Sequence, residues 1–176
     1  MRNEIPNLQE VSWCSQINSL AKNPSANLEK WLTKPHFLGD ALAKVHGEIQ
    51  VEVLSETFEP PFAHELLYLN NVGKGTPFFI REIYLKNTDQ ILTYGRVTIP
   101  EVTFAHNKTN ILALKNKSFG KVILYSHPHY KRSEFEYAHV CHEGVEYWGR
   151  RSLFWLEADP LIVTEVYMID LGDYPQ

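Results

Sequence analysis

The stretch PFFIREIYLKNTDQILTYGRVTIP, residues 77–100, decides the fold class. Two runs rich in β-branched and aromatic residues, PFFIREIYL and ILTYGRVTIP, flank the polar turn KNTDQ, which is how a β-hairpin is written in sequence. The same grammar returns over residues 147–169 as YWGRRSLFWL, EADP and LIVTEVYMI. Adding IQVEVLSETF at 49–58 and SEFEYAHV at 133–140 brings the count to six strands. Strands linked mostly as hairpins favour an antiparallel sheet.

Working outward, the first 48 residues read as helical. Pro24-Ser25 precedes LEKWLTK, where Leu28, Trp31 and Leu32 fall on one helical face. A second helix runs from Leu38 to His46, with Leu38, Leu42 and Val45 as its stripe and Gly47 as its stop. The break Thr33-Lys34-Pro35-His36 makes the pair a helix-turn-helix rather than one rod. AHELLYLN at 63–70 and TNILALKN at 109–116 each offer one more short helix. Helices segregated from hairpins indicate α+β: a six-stranded antiparallel sheet with helices over one face. With no internal repeat, low-complexity tract or long linker, residues 1–176 read as a single domain.

Composition bounds the function. The chain has 176 residues, 44% of them apolar, so it must bury a real core and is not a disordered tract. A net charge of −4 argues against nucleic acid as a partner. No window approaches the roughly 18 apolar residues of a membrane span. The start, MRNEIPNLQE, lacks a secretory pattern, so a cytoplasmic protein is expected. Cys14 and Cys141 suggest neither a disulfide framework nor a CxxC metal site. Nothing in the sequence demands more than a monomer.

The chemistry is marked by charges on apolar faces. Side chains two apart on a strand share a face. Arg81 falls with Phe79, Ile83 and Leu85; Arg96 falls with Leu92, Tyr94 and Thr98; Glu165 falls with Leu161, Val163, Tyr167 and Ile169. A lone ion in an apolar interior costs several kcal/mol even after relaxation, so each of these groups needs a partner or a wet cavity. Two explanations stand: a structural ion pair between Glu165 and Arg81 or Arg96, or a closed polar pocket. Two guanidiniums against one carboxylate leave surplus positive charge, and an arginine fork suits a carboxylate ligand.

Other features carry less. His127-Pro128-His129, and His139 with Cys141 and His142, invite a metal reading, but no HExxH or paired CxxC supports it, so these residues are taken as structural or surface groups. Nothing flanks Cys141 as a catalytic nucleophile would be flanked, and Gly73-Lys74-Gly75 reads as a turn. In WGRR, Arg150 lies beside Trp148 and Phe154, and Arg151 beside Tyr147, Leu153 and Trp155, which points to cation–π packing.

The pieces FIREIYL, GRVTIP, SFGKVILYS, YWGRRSLFWL and PLIVTEVYM, in that order and at similar spacing, resemble the chorismate lyase family. The resemblance covers roughly residues 28–170 and is strongest over 79–100 and 144–168. It implies a cofactor-free lyase that removes pyruvate from chorismate to leave 4-hydroxybenzoate, a ubiquinone precursor. It also implies a ligand cavity sealed by helix-turn-helix flaps, with Arg81 on the ring carboxylate and Glu165 at the product hydroxyl. The backbone amide of Phe119 would share the carboxylate, and Leu38 would stand at the flap position. Arg96 is expected to neutralise the enolpyruvyl carboxylate. A non-catalytic alternative exists, because the effector-binding domains of one family of bacterial transcription regulators share this fold. Only about 27 residues precede the region of resemblance, too few for a DNA-binding module. A protein–protein interaction domain has no support beyond ordinary surface aromatics.

Overall fold

The computed structural model describes residues 5–34 and 37–176. The chain runs α1 (Ala26–Thr33), α2 (Leu38–His46), β1 (Gln50–Glu59), α3 (Ala63–Tyr68), β2 (Phe78–Lys86), β3 (Ile91–Ile99) and α4 (Glu101–Leu112). A π-helical turn at Gly120–Leu124 leads into β4 (Tyr130–Arg132), β5 (Glu136–His142), β6 (Val145–Leu156) and β7 (Asp159–Tyr167). Every pairing is antiparallel, in the order β1-β2-β3-β7-β6. Both expected hairpins are present.

The sheet has seven strands where the sequence suggested six. The added one is β4, which takes Leu156 to Phe154 of β6, while β5 takes Arg151 to Val145 of the same strand. These two short strands lie end to end along one edge, so the sheet is still six positions wide. SEFEYAHV therefore starts in the gap between them, and pairing resumes at Glu136.

Local rules explain the helices. Ser25 caps α1 by accepting from the Leu28 amide at 3.2 Å, and Gly47 ends α2 at φ 78°. The packed stripe of α2 is Leu38, Ala41 and Leu42, while Val45 is 40% exposed in the last turn. The helix expected at 109–116 begins eight residues earlier, directly after Pro100, and ends at Leu112. Its early turns escaped notice because only Thr103 and Phe104 are buried there.

Both faces of the sheet are covered. On one, α1, α2 and α4 bury Trp31, Leu32, Leu42 and Phe104 against Leu85, Tyr167, Phe79 and Leu161. On the other, α3 sits over Phe78, Ile80 and Ile162, and the segment from Leu8 to Trp13 packs beside Tyr94 and Val166. Trp31, Leu32 and Leu42 are 0% exposed. Complete burial of such a side chain contributes about 1.5–3 kcal/mol, so α1 and α2 are fastened to the sheet rather than loose above it.

Candidate active site

The β6–β7 hairpin builds the centre of the site. Its two-residue turn at Glu157 and Ala158 fixes the register, so that Arg150 lies directly opposite Glu165. On the other side of β7, Glu165 faces Gly95 of β3, whose missing side chain leaves the space that Ile83 covers. The Arg150 Nε donates to Glu165 Oε2 at 2.6 Å. Its Nη1 donates to the carbonyls of Trp31, Leu32 and Lys34 at 3.0–3.4 Å. Those carbonyls belong to the last turn and C-cap of α1, so one guanidinium both holds the acid and ties down the helix. Burial works against the Arg150 charge, but Glu165 beside it outweighs burial and raises the pKa further. Tyr167 adds a hydrogen bond from its hydroxyl to the Trp31 carbonyl at 2.9 Å, and burial pushes its pKa up, so it stays a phenol.

Above this pair lies a cavity of about 750 Å³ of empty space, its open mouth included. Its wall carries Leu38, Ile83, Phe119, Tyr125, Phe135 and Phe154, with Thr93, Arg132, Arg150, Ser152 and Glu165 among its polar residues. Two flaps close over it. Phe37, just ahead of α2, meets Tyr125, just after the π-helical turn, with ring centres 4.5 Å apart.

Each residue singled out in the sequence has a definite place. Glu165, Phe119 and Leu38 are in the cavity wall. Arg81 points to the same face but stands one layer behind. It pairs with Glu56, and its Nη2 donates to the carbonyls of Lys115 and Lys117 at 2.8 and 3.0 Å. That loop leads into Ser118 and Phe119, so Arg81 sets the position of the Phe119 amide. Arg81 is fully buried, and its Nε has no hydrogen-bond partner among the described residues.

Arg96 is not with them, which corrects the expectation. On β3 it lies opposite Glu82 and Thr164, the residues adjacent to Arg81 and Glu165, and so faces the other side of the sheet. There its guanidinium meets Glu65 of α3 at 2.8 Å and Glu82 at 3.0 Å, and lies 4.1 Å above the Phe62 ring. Only its main chain can reach the cavity wall. Strand parity identified two buried charges and one half-buried, but it cannot say which face of one strand continues which face of the next.

The charge that accompanies Glu165 is Arg150, which the sequence reading assigned to packing. It does stack, on Phe135 at 4.3 Å, and it also carries the ion pair. Counting outward from the EADP turn would have paired it with Glu165. Among the described residues, no histidine or cysteine lines the cavity. His139 packs on Trp148, His129 donates its amide to His127, and Cys141 is exposed. Among the described residues no group of three or more His, Cys, Asp or Glu could hold a metal ion.

An antiparallel sheet with a partly charged cavity under two flaps defines a small-molecule binding site. The chorismate lyase profile matches residues 7–171, and the chain belongs to that family. A probable chorismate pyruvate-lyase of Coxiella burnetii is 28% identical, covering 90% of this chain and 92% of the relative. A chorismate pyruvate-lyase of Pectobacterium atrosepticum is 23% identical over 92% of this chain and 86% of the relative. Among solved structures, a possible transcriptional regulator, YydK from Bacillus subtilis, superposes with a TM-score of 0.52 at 12% identity. That match covers 76% of this chain and 63% of the regulator, and shows the shared fold. No helix among the described residues is long and apolar enough to cross a membrane.

Proposed function

We propose that the protein is a chorismate pyruvate-lyase, releasing pyruvate from chorismate and leaving 4-hydroxybenzoate, a ubiquinone precursor. The observation that carries this is the Glu165–Arg150 pair at the floor of an aromatic cavity under two flaps, in a chain of the chorismate lyase family. Residues 1–176 act as one unit, a monomeric cytoplasmic enzyme.

In this account the ring carboxylate sits between the Phe119 amide and Arg81, whose buried Nε is the donor left over. The aromatic ring lies among Phe119, Tyr125 and Phe154, and Leu38 closes the flap side. Glu165 gives one oxygen to Arg150 and turns the other to the ring hydroxyl. In the reaction the ether C–O bond breaks with its electron pair on the departing enolpyruvate. The hydrogen on the hydroxyl-bearing carbon leaves as a proton, and its C–H electrons complete the aromatic ring. Enolpyruvate takes up a proton to become pyruvate, so atoms and electrons balance.

The likeness to a transcriptional regulator favours a second reading, a ligand-binding domain without chemistry. Incubation of purified protein with chorismate separates the two. Equimolar pyruvate and 4-hydroxybenzoate are expected; bound, unconverted chorismate would leave only the sensor.

A further inference from the structure

Two arginine side chains carry charge in the cavity wall, and only one is balanced. Arg150 has Glu165. Behind the wall, Arg81 has Glu56. Arg132, the last residue of β4, lies opposite Phe154 of β6 and so faces the cavity. Its Nη1 is buried without a hydrogen-bond partner among the described residues. Its guanidinium lies 4.1 Å over the Phe135 ring, the same ring that Arg150 covers at 4.3 Å. Tyr125 feels Glu165, Arg150 and Arg132 together, so the three charges share one neighbourhood. A buried guanidinium donor with nothing to donate to is costly, and at the wall of a cavity the acceptor that satisfies it can be a ligand.

We propose that Arg132 binds the carboxylate of the enolpyruvyl arm, and after cleavage that of the departing pyruvate. The assignment rests on the lyase reading above. Chorismate has two carboxylates, whereas 4-hydroxybenzoate keeps only the one on the ring. The arm is attached to the carbon next to the hydroxyl-bearing carbon, so with the hydroxyl on Glu165 the arm must lie close to that residue. Arg132 is the cation there with a donor to spare. As the ether bond breaks, negative charge grows on the three-carbon unit that Arg132 holds, and a fixed guanidinium stabilises it. Proton bookkeeping is unchanged by this contact, because Arg132 stays charged throughout.

The test compares a ligand that has the arm with one that lacks it. Arg132→Gln should lower kcat/KM for chorismate about 30-fold, the scale of one lost charge-assisted hydrogen bond, and change the Kd of 4-hydroxybenzoate less than about threefold. Arg132→Lys should recover part of the loss, since it keeps the charge but not the fork. Arg132→Gln with wild-type kcat/KM would overturn the proposal, as would equal losses for chorismate and 4-hydroxybenzoate. If circular dichroism shows Arg132→Gln unfolded, the same two criteria apply to Arg132→Lys. A wild-type protein that makes no pyruvate would remove the lyase reading, not the subsite. Calorimetry then decides the subsite: Arg132→Gln must weaken chorismate more than 4-hydroxybenzoate.

Discussion

The two faces of the sheet both bury arginine, and they treat it differently. Under α3, Arg96 meets Glu65 and Glu82, Thr98 adds its hydroxyl to Glu65 at 2.7 Å, and the Phe62 amide adds a further bond at 2.9 Å. Beside them Arg151 reaches Glu136 at 2.6 Å and the His64 Nδ1 at 3.0 Å, while His64 Nε2 donates to the Leu8 carbonyl. The guanidiniums there are spent on protein partners. On the other face Arg132, in the cavity wall, and Arg81, one layer behind it, each keep a buried nitrogen without a hydrogen-bond partner among the described residues. Buried charge alone is therefore no mark of function; buried charge with capacity left over, facing space, is.

Breaking each side in turn separates the roles. The largest effect is expected from Arg96→Ala, which strands Glu65 in the interior and should cost about 3–5 kcal/mol of stability by denaturant titration. The part that still folds should keep kcat/KM within about threefold, since the reacting groups are on the other face. Arg81→Gln should do the converse. A drop of about 100-fold in kcat/KM is expected, with a matching loss of 4-hydroxybenzoate affinity, because both ligands carry the ring carboxylate.

Acid sharpens the comparison. Burial pushes the Glu65 carboxyl up, but the hydrogen bonds and charge of Arg96, with Thr98 and the Phe62 amide, outweigh it and hold its pKa below 4.5. A group depressed on folding stabilises fully above its unfolded pKa, and that stability is lost as pH falls through the folded value. Thermal melts should thus show stability falling below about pH 4.5, and Glu65→Gln should flatten that limb while lowering the neutral plateau. The smallest effect is at the flaps. Phe37→Ala removes the ring contact with Tyr125 and should speed 4-hydroxybenzoate release about fivefold in stopped-flow displacement.

Much of this was legible in the sequence, and the limits are physical. Alternation within FIREIYL and LIVTEVYMI located Arg81 and Glu165 on buried faces, and both are buried or half-buried on the cavity side. Arg96 obeyed the same rule yet belongs to the opposite face, because this sheet is covered on both sides and an inward charge can serve either. Its partner Glu65 lies in AHELLYLN, where a glutamate on a short helix reads as solvent-facing. Arg150 was visible but its role was not; only the hairpin register, not the WGRR motif, brings it to Glu165. Arg132 gave no signal, since β4 is three residues long and too short to show alternation. Leu38 and Phe119 came from family resemblance, and the structure places both at the wall.

The most direct measurement is a crystal structure of the protein with 4-hydroxybenzoate. The ring should lie between Phe119 and Phe154, with its carboxylate on the Phe119 amide and Arg81 and its hydroxyl on Glu165. Ligand bound beneath α3 at Arg96, or a cavity that stays empty at saturating ligand, would contradict the account.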